Sequence, residues 1–329
     1  MTVIRRAALA VLVAGITATA AVSAQAVTPQ AARAVAAAPS SVGTVAVSAS
    51  SSNQFGCMPP EAGAIEPDGS LNHVFLNRTN LTGPFHRDYV STLQGVTALG
   101  PTTYEFVGST NYFRTFTMHG GALTFETTNY PNFGAFRHVS RSIAGNFGAV
   151  AKIVDASDRS TAYSKGGYLY TLNVKYGTLI RYKVTEATFG APTVSWAGSR
   201  TGYSNFRSLA LAYRYRDGYA GAADVLIGTT FEGRLTLITI PVAGAFTPRL
   251  TQIRASTWTF DDLVVSGCSN DTNYALIAIR SGTDKAYLYR LDNLAVTSRV
   301  IRSYGAIAAP WTPAHSSGFW GQGAYPRHW

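Results

Sequence analysis

The chain is poor in charge and in cysteine. Charged residues make up 13% of its 329 positions, and there are 2 cysteines. About a quarter of an ordinary soluble domain is charged. Two cysteines exclude a disulfide scaffold and a four-cysteine zinc site. The six histidines (His73, His86, His119, His138, His315, His328) show no H-x-H or H-x-x-x-H spacing, so no zinc motif is present. The chain has no P-loop, no dinucleotide fingerprint and no G-x-S-x-G, and GSRTG at 198–202 has its serine out of place. No cofactor and no metal are therefore expected. No stretch reaches 18 apolar residues, so no membrane span is expected.

What is plentiful is Gly (31), Tyr (18) and Phe (16), within a 46% hydrophobic composition. That balance excludes whole-chain disorder and fits an all-β extracellular protein. The net charge is +10, carried by 22 Arg and 5 Lys. The basic residues form no run of five, unlike the clustered surface of a nucleic-acid binder, so no nucleic-acid partner is expected.

Residues 1–24 read as a secretory signal. Arg5 and Arg6 precede the apolar stretch Ala7–Ala21, and small residues follow at Val22-Ser23-Ala24. The residues after Arg5-Arg6 do not continue a twin-arginine motif, so Sec export and an extracellular location are expected. Residues 25–52 are rich in Ala, Val and Ser. They read as a leader or linker, with a first strand at Val42–Val47 as the rival. Residues 53–329 form the folded region. In an oxidising compartment Cys57 and Cys268 are expected to pair, the alternative being two separate buried thiols. Closing a loop of that length is worth up to about 5 kcal/mol.

The body of the chain repeats. Tyr104–Val150, Gly167–Leu209 and Asp224–Leu263 align, each opening on a short apolar run: YEFVGST, GYLYTLN, DVLIGTT. Each continues with a glycine turn and a second run: GGALTFETT, YGTLIRYKV, EGRLTLITIP. A third run follows, then a closing Phe with an apolar residue three later: Phe147/Val150, Phe206/Leu209, Phe260/Leu263. A fourth copy starts at Tyr274, and the region near 57–100 is a poorer copy. Ile180, Tyr182 and Val184 alternate with Leu179, Arg181 and Lys183, as in a half-buried strand. LTLITI is apolar on both faces. Four strands per unit and five units predict a β-propeller of five blades of four antiparallel strands, with a β-sandwich pair as the alternative. The tail, with Trp311, Trp320 and Trp329 among Gly and Pro, reads as a wrap over the last blade or as an aromatic docking segment.

The second unit runs GYLYTLN, GTLIRY, Trp196, then GYSNFRSL. This order resembles the tachylectin-like propeller repeat over roughly residues 100–300. The third unit keeps it in part, with STWTFDDL in place of the glycine–aromatic turn and no Trp in its third strand. The resemblance implies a five-bladed lectin that binds N-acetylated sugars.

Sugars present apolar C–H faces flanked by hydroxyls, which aromatic rings and Asn, Asp or Arg satisfy together. Trp196, Tyr203 with Asn205, and Trp258 with Asp261 are the candidate ligand-binding residues. Phe147, Phe206, Phe260 and Trp196 also read as core packing, and Tyr203 and Trp258 admit either role. The expected function is recognition of an extracellular or cell-wall glycan. Two rivals remain: a glycoside hydrolase using paired carboxylates from Glu105, Glu126, Asp224 or Asp261-Asp262, and a module that binds only protein.

Overall fold

The computed structural model describes residues 61–65, 70–75, 85–89, 93, 95–107, 109–131, 137–157, 167–215, 222–268, 272–280, 283, 285–294, 298–307, 315–320 and 327–328. The segments read as a signal (1–24) and a leader (25–52), together with Cys57, Trp311 and Trp329, lie outside them.

The described chain is all strand. Its elements are β1 (Glu61–Ile65), β2 (Ser70–Phe75), β3 (Phe85–Tyr89), β4 (Val96–Leu99), β5 (Thr102–Val107), β6 (Thr110–His119), β7 (Ala122–Pro131) and β8 (Arg137–Ser142). Then come β9 (Lys152–Asp155), β10 (Gly167–Asn173), β11 (Thr178–Thr185), β12 (Thr193–Thr201), β13 (Phe206–Tyr215), β14 (Ala223–Thr230), β15 (Leu235–Pro241) and β16 (Arg249–Arg254). The last are β17 (Asp262–Gly267), β18 (Tyr274–Arg280), β19 (Lys285–Asp292), β20 (Val300–Ile307), β21 (His315–Trp320) and β22 (Arg327–His328).

They form a β-propeller of four blades, each an antiparallel meander: β5–β8, β9–β12, β13–β16 and β17–β20. This corrects the expected five. The segment read as a poorer fifth copy has no sheet of its own. Its strands β1–β3 are hydrogen-bonded through β21 and β5 into the first sheet. Ala62 pairs with Gly318, and Trp320 with Thr103, so the first described strand and a late one share one sheet. A further pair of short contacts joins β22 in parallel to β13.

The sequence repeat is also offset from the blades by one strand. The closing Phe of each unit opens the next blade: Phe206 begins β13, and Phe260 lies just before β17. In the first unit the counterpart of β10 is β6, which reads TNYFRTFTMH, and not YEFVGST. Thr and Arg interrupt its apolar residues, which is why the run escapes a search for apolar stretches.

Apolar layers fill the spaces between sheets. Phe116, Met118, Leu123 and Phe125 of the first sheet meet Leu169, Tyr182 and Val184 of the second. Tyr170, Leu172 and Leu179 of the second meet Leu226, Ile238 and Ile240 of the third. Val225, Ile227 and Leu237 of the third meet Leu263, Leu276 and Leu291 of the fourth. Phe147, Phe206 and Phe260 are buried in these layers. All eight residues of β14 are buried, as strands covered on both faces must be. In β11 the half-buried alternation holds only at the end, where Lys183 and Thr185 are exposed beside buried Tyr182 and Val184, and it fails at Leu179 and Arg181, which are buried too. Arg181 is 3% exposed. Its guanidinium donates to the carbonyls of Pro241 (2.9 Å), Gly244 (3.2 Å) and Ala197 (3.3 Å) and lies over the Tyr168 and Phe246 rings. Those partners offset the cost of burying the cation.

Candidate functional site

Two loop modules of the same construction stand at the ends of the second and third sheets. In each, a hairpin glycine takes a left-handed conformation: Gly177 (φ +59) after β10 and Gly233 (φ +81) after β14. In each, its carbonyl accepts the amide of an aromatic residue from the loop that enters the next blade. Tyr203 donates to Gly177 at 2.9 Å and Trp258 to Gly233 at 2.8 Å. The aromatic ring then turns inward. Tyr203 lies 5.5 Å from Phe206, and Trp258 lies 5.6 Å from Phe260 and 4.8 Å from Tyr289. Both rings are buried. Burial pushes the Tyr203 phenol up to about 12, against the pull of Arg200. Side chains at position 177 or 233 would press on the partner loop, since a Cβ on Gly177 would come within 2.9 Å of Ser204.

The ring offered to solvent comes instead from the hairpin turns. Phe231, between β14 and β15, is 54% exposed. Its amide donates to the Asn205 carbonyl at 2.9 Å. The Arg207 guanidinium stands 6.0 Å from the Phe231 ring centre and is ion-paired with Asp261. Asp261 is fixed in turn by its amide, which donates to the Ile279 carbonyl at 2.9 Å. Arg207 belongs to β13, while Asp261 precedes β17, so the pair spans the seam between the third and fourth blades. The neighbouring turn offers Tyr176, 65% exposed, with the Lys175 ammonium 5.4 Å from its ring.

The five candidate residues thus divide. Asn205 and Asp261 lie in the loop cluster around Phe231. Tyr203 and Trp258 lie beneath the loops. Trp196 stands on β12, 67% exposed, at a register shift opposite Tyr182. Phe231, Tyr176 and Arg207 were not singled out by the sequence reading. The available signal was an aromatic within one or two residues of a turn glycine, in FEGR and YGT, where a side chain has no sheet to bury it.

The carboxylates weighed for hydrolysis are each held by separate partners. Glu105 and Glu186 flank Arg114, Asp224 accepts from the Tyr170 hydroxyl at 2.8 Å, and Asp262 pairs with Lys152. Glu126 accepts from His138 and Thr117 at 2.9 Å and from Ser140 at 3.0 Å. No group of three or more His, Cys, Asp or Glu able to hold a metal occurs among the described residues. No described helix is long and apolar enough to cross a membrane.

These features define a β-propeller with an exposed aromatic and an Arg–Asp pair at a blade seam. No family model and no curated protein matches the chain. Among solved structures it is similar to the SapL1 lectin in complex with alpha methyl fucoside, at 11% identity and TM-score 0.37, covering 78% of this chain and 84% of that one. It is also similar to the WD40 domain of SCAP from fission yeast, at 14% identity and TM-score 0.32, covering 74% of this chain and 58% of that one.

Proposed function

We propose that the protein is a secreted carbohydrate-binding propeller that recognises an extracellular or cell-wall glycan. The observation that carries this reading is the seam cluster of exposed Phe231 beside the Arg207–Asp261 pair. The ring receives a sugar C–H face, and the carboxylate and guanidinium meet the flanking hydroxyls. Asn205 lines the same loop, and Tyr176 repeats the exposed ring one blade away. Tyr203 and Trp258 contribute from below, by holding the loops in place, and Trp196 offers a separate ring on the outer strand. Weak sites on neighbouring blades add avidity on a polymeric glycan. N-acetylated sugars of the tachylectin-like kind are the first ligands to try.

The rest of the reading belongs to the same proposal: cleavage of a Sec signal within residues 1–24, a leader to residue 52, and a Cys57–Cys268 bridge formed after export.

The test is binding of the mature protein to a panel of chitin oligomers and cell-wall fragments, with analysis of each retained sugar. Retention of unchanged sugar that falls at least about tenfold in Phe231→Ala and in Asp261→Asn is the expected result. Failure to retain any glycan, or retention indifferent to both substitutions, overturns it. Shortened products would transfer the reading to a hydrolase.

A further inference from the structure

The outermost strand of each blade is built unlike the rest. β8, β12, β16 and β20 each end their sheet. β8 reads RHVSRS, β12 TVSWAGSRT, β16 RLTQIR and β20 VIRSYGAI. None of the four contains a carboxylate, and all four contain arginine. Arg137, Arg141, Arg200, Arg249, Arg254 and Arg302 are exposed. Arg302 pairs with Asp292 at 2.9 Å. The other five have no carboxylate partner among the described residues. Of the carboxylates whose burial is described, Glu232 alone is exposed, and it is paired with Arg234 at 3.0 Å. Among the described residues the acids lie mostly inward, while the four outer strands carry arginine and no carboxylate of their own.

Each rim strand also exposes one large apolar residue: Val139, Trp196, Leu250 and Val300. On β8, Val139 stands between Arg137 and Arg141 on the same face, because strand side chains alternate.

We propose that these outer strands are a docking surface for a linear anionic polysaccharide, separate from the loop cluster at Phe231. Guanidinium forks match carboxylate and sulfate oxygens. The apolar residue beside them takes the C–H face of the sugar ring. Repetition from blade to blade lets one flexible polyanion engage several arginines. A nucleic acid fits less well, because sequence-tolerant strand binding uses successive aromatic platforms. Trp196 is the single aromatic among the exposed apolar residues of these strands. Charged edge strands also discourage edge-to-edge aggregation, a role that needs charge but no polyanion.

The experiment compares retention of the full mature protein on dextran sulfate and on neutral dextran across a salt gradient. Polygalacturonate serves as a second anionic probe, and duplex DNA as a competitor. The five-site variant R137Q/R141Q/R200Q/R249Q/R254Q is set against a control, K175Q/K183Q/K285Q, which removes exposed charge from other places. The expected result is salt-sensitive retention on an anionic polymer and none on neutral dextran. The slope of log affinity against log salt should fall by about one for each contacting arginine removed. The lysine control should lose much less per charge removed, and the five-site variant should keep its Phe231-dependent glycan binding. Loss of retention on sulfate but not polygalacturonate would assign the surface to sulfated chains, and the reverse to uronates. Equal losses per charge in the two variants, or no retention of either anionic polymer, overturn the proposal. Preferential displacement by DNA at equal phosphate and sulfate concentration also overturns it, in favour of a nucleic acid.

Discussion

The first and third sheets solve the same problem with different chemistry. The third is covered by apolar layers on both sides, with Leu226, Ile238 and Ile240 in one and Val225, Ile227 and Leu237 in the other. The first has Phe116, Met118, Leu123 and Phe125 on one face. Its other face carries Thr117, Glu126, Thr128 and His138, joined by hydrogen bonds. His138 bridges Glu126 and Thr128, at 2.9 Å to each, while Thr117 bonds Thr124 at 2.6 Å and Glu126 at 2.9 Å. Apolar packing tolerates rearrangement, whereas a buried polar set holds only while every member is partnered. The third sheet should therefore fail by losing volume, and the first by gaining a proton on Glu126 or losing a partner.

The largest expected effect is in the third sheet. Leu226→Ala removes a fully buried side chain from a layer shared with the second blade and should cost about 4 kcal/mol in a denaturant melt. Next comes the first sheet. Glu126→Gln keeps the shape but removes the charge that His138 meets, and should cost about 2 kcal/mol.

The same residue makes the first sheet acid-sensitive. Burial alone would raise the Glu126 pKa, but hydrogen bonds from His138, Thr124 and Thr117 and the charge of His138 outweigh it and leave the pKa below the ordinary 4.5. A depressed folded pKa means that its contribution is complete above the unfolded value and is lost as pH falls through the lower folded value. Stability measured from pH 6 downward should therefore fall below about pH 4.5 more steeply in the native protein than in Glu126→Gln. Parallel curves would remove the acid-sensitive half of the comparison.

A smaller effect is expected at the loops. Gly233→Ala places a Cβ 3.1 Å from the Thr257 amide nitrogen at φ +81, and should cost about 1–2 kcal/mol. Smallest is Phe231→Ala, whose ring is exposed. Its melt should stay within about 0.5 kcal/mol of the parent while glycan retention drops. A large loss of stability there would mean that the ring is structural.

Much of the fold could be read from the chain, for reasons visible in particular residues. Turn glycines 177 and 233 and the buried phenylalanines 147, 206 and 260 mark the propeller repeat because left-handed turns and inter-sheet packing admit few substitutes. Blade number was not legible in the same way. It depends on which strand edge β1 joins, and backbone hydrogen bonds to β21 leave no side-chain pattern. Arg181 misled the alternation on β11, since three carbonyls that accept its guanidinium come from positions distant in sequence. At the loop cluster, Asn205 and Asp261 stood out as polar residues beside aromatics. Phe231 did not, because exposure is set by the turn and not by the residue type. Trp196 illustrates the converse: a large ring that reads as core stands in solvent on the outermost strand.

The pairing of β21 with β1 and β5 has a consequence for biogenesis. The first described strand and a late one must meet in one sheet, so the first sheet cannot be completed until residues 315–320 have emerged. A nascent chain holds β1–β3 without that neighbour throughout its synthesis, and such long-range pairing is slow to form. A stop codon before residue 315 should give a product whose early strands present an unprotected edge to chaperones and proteases.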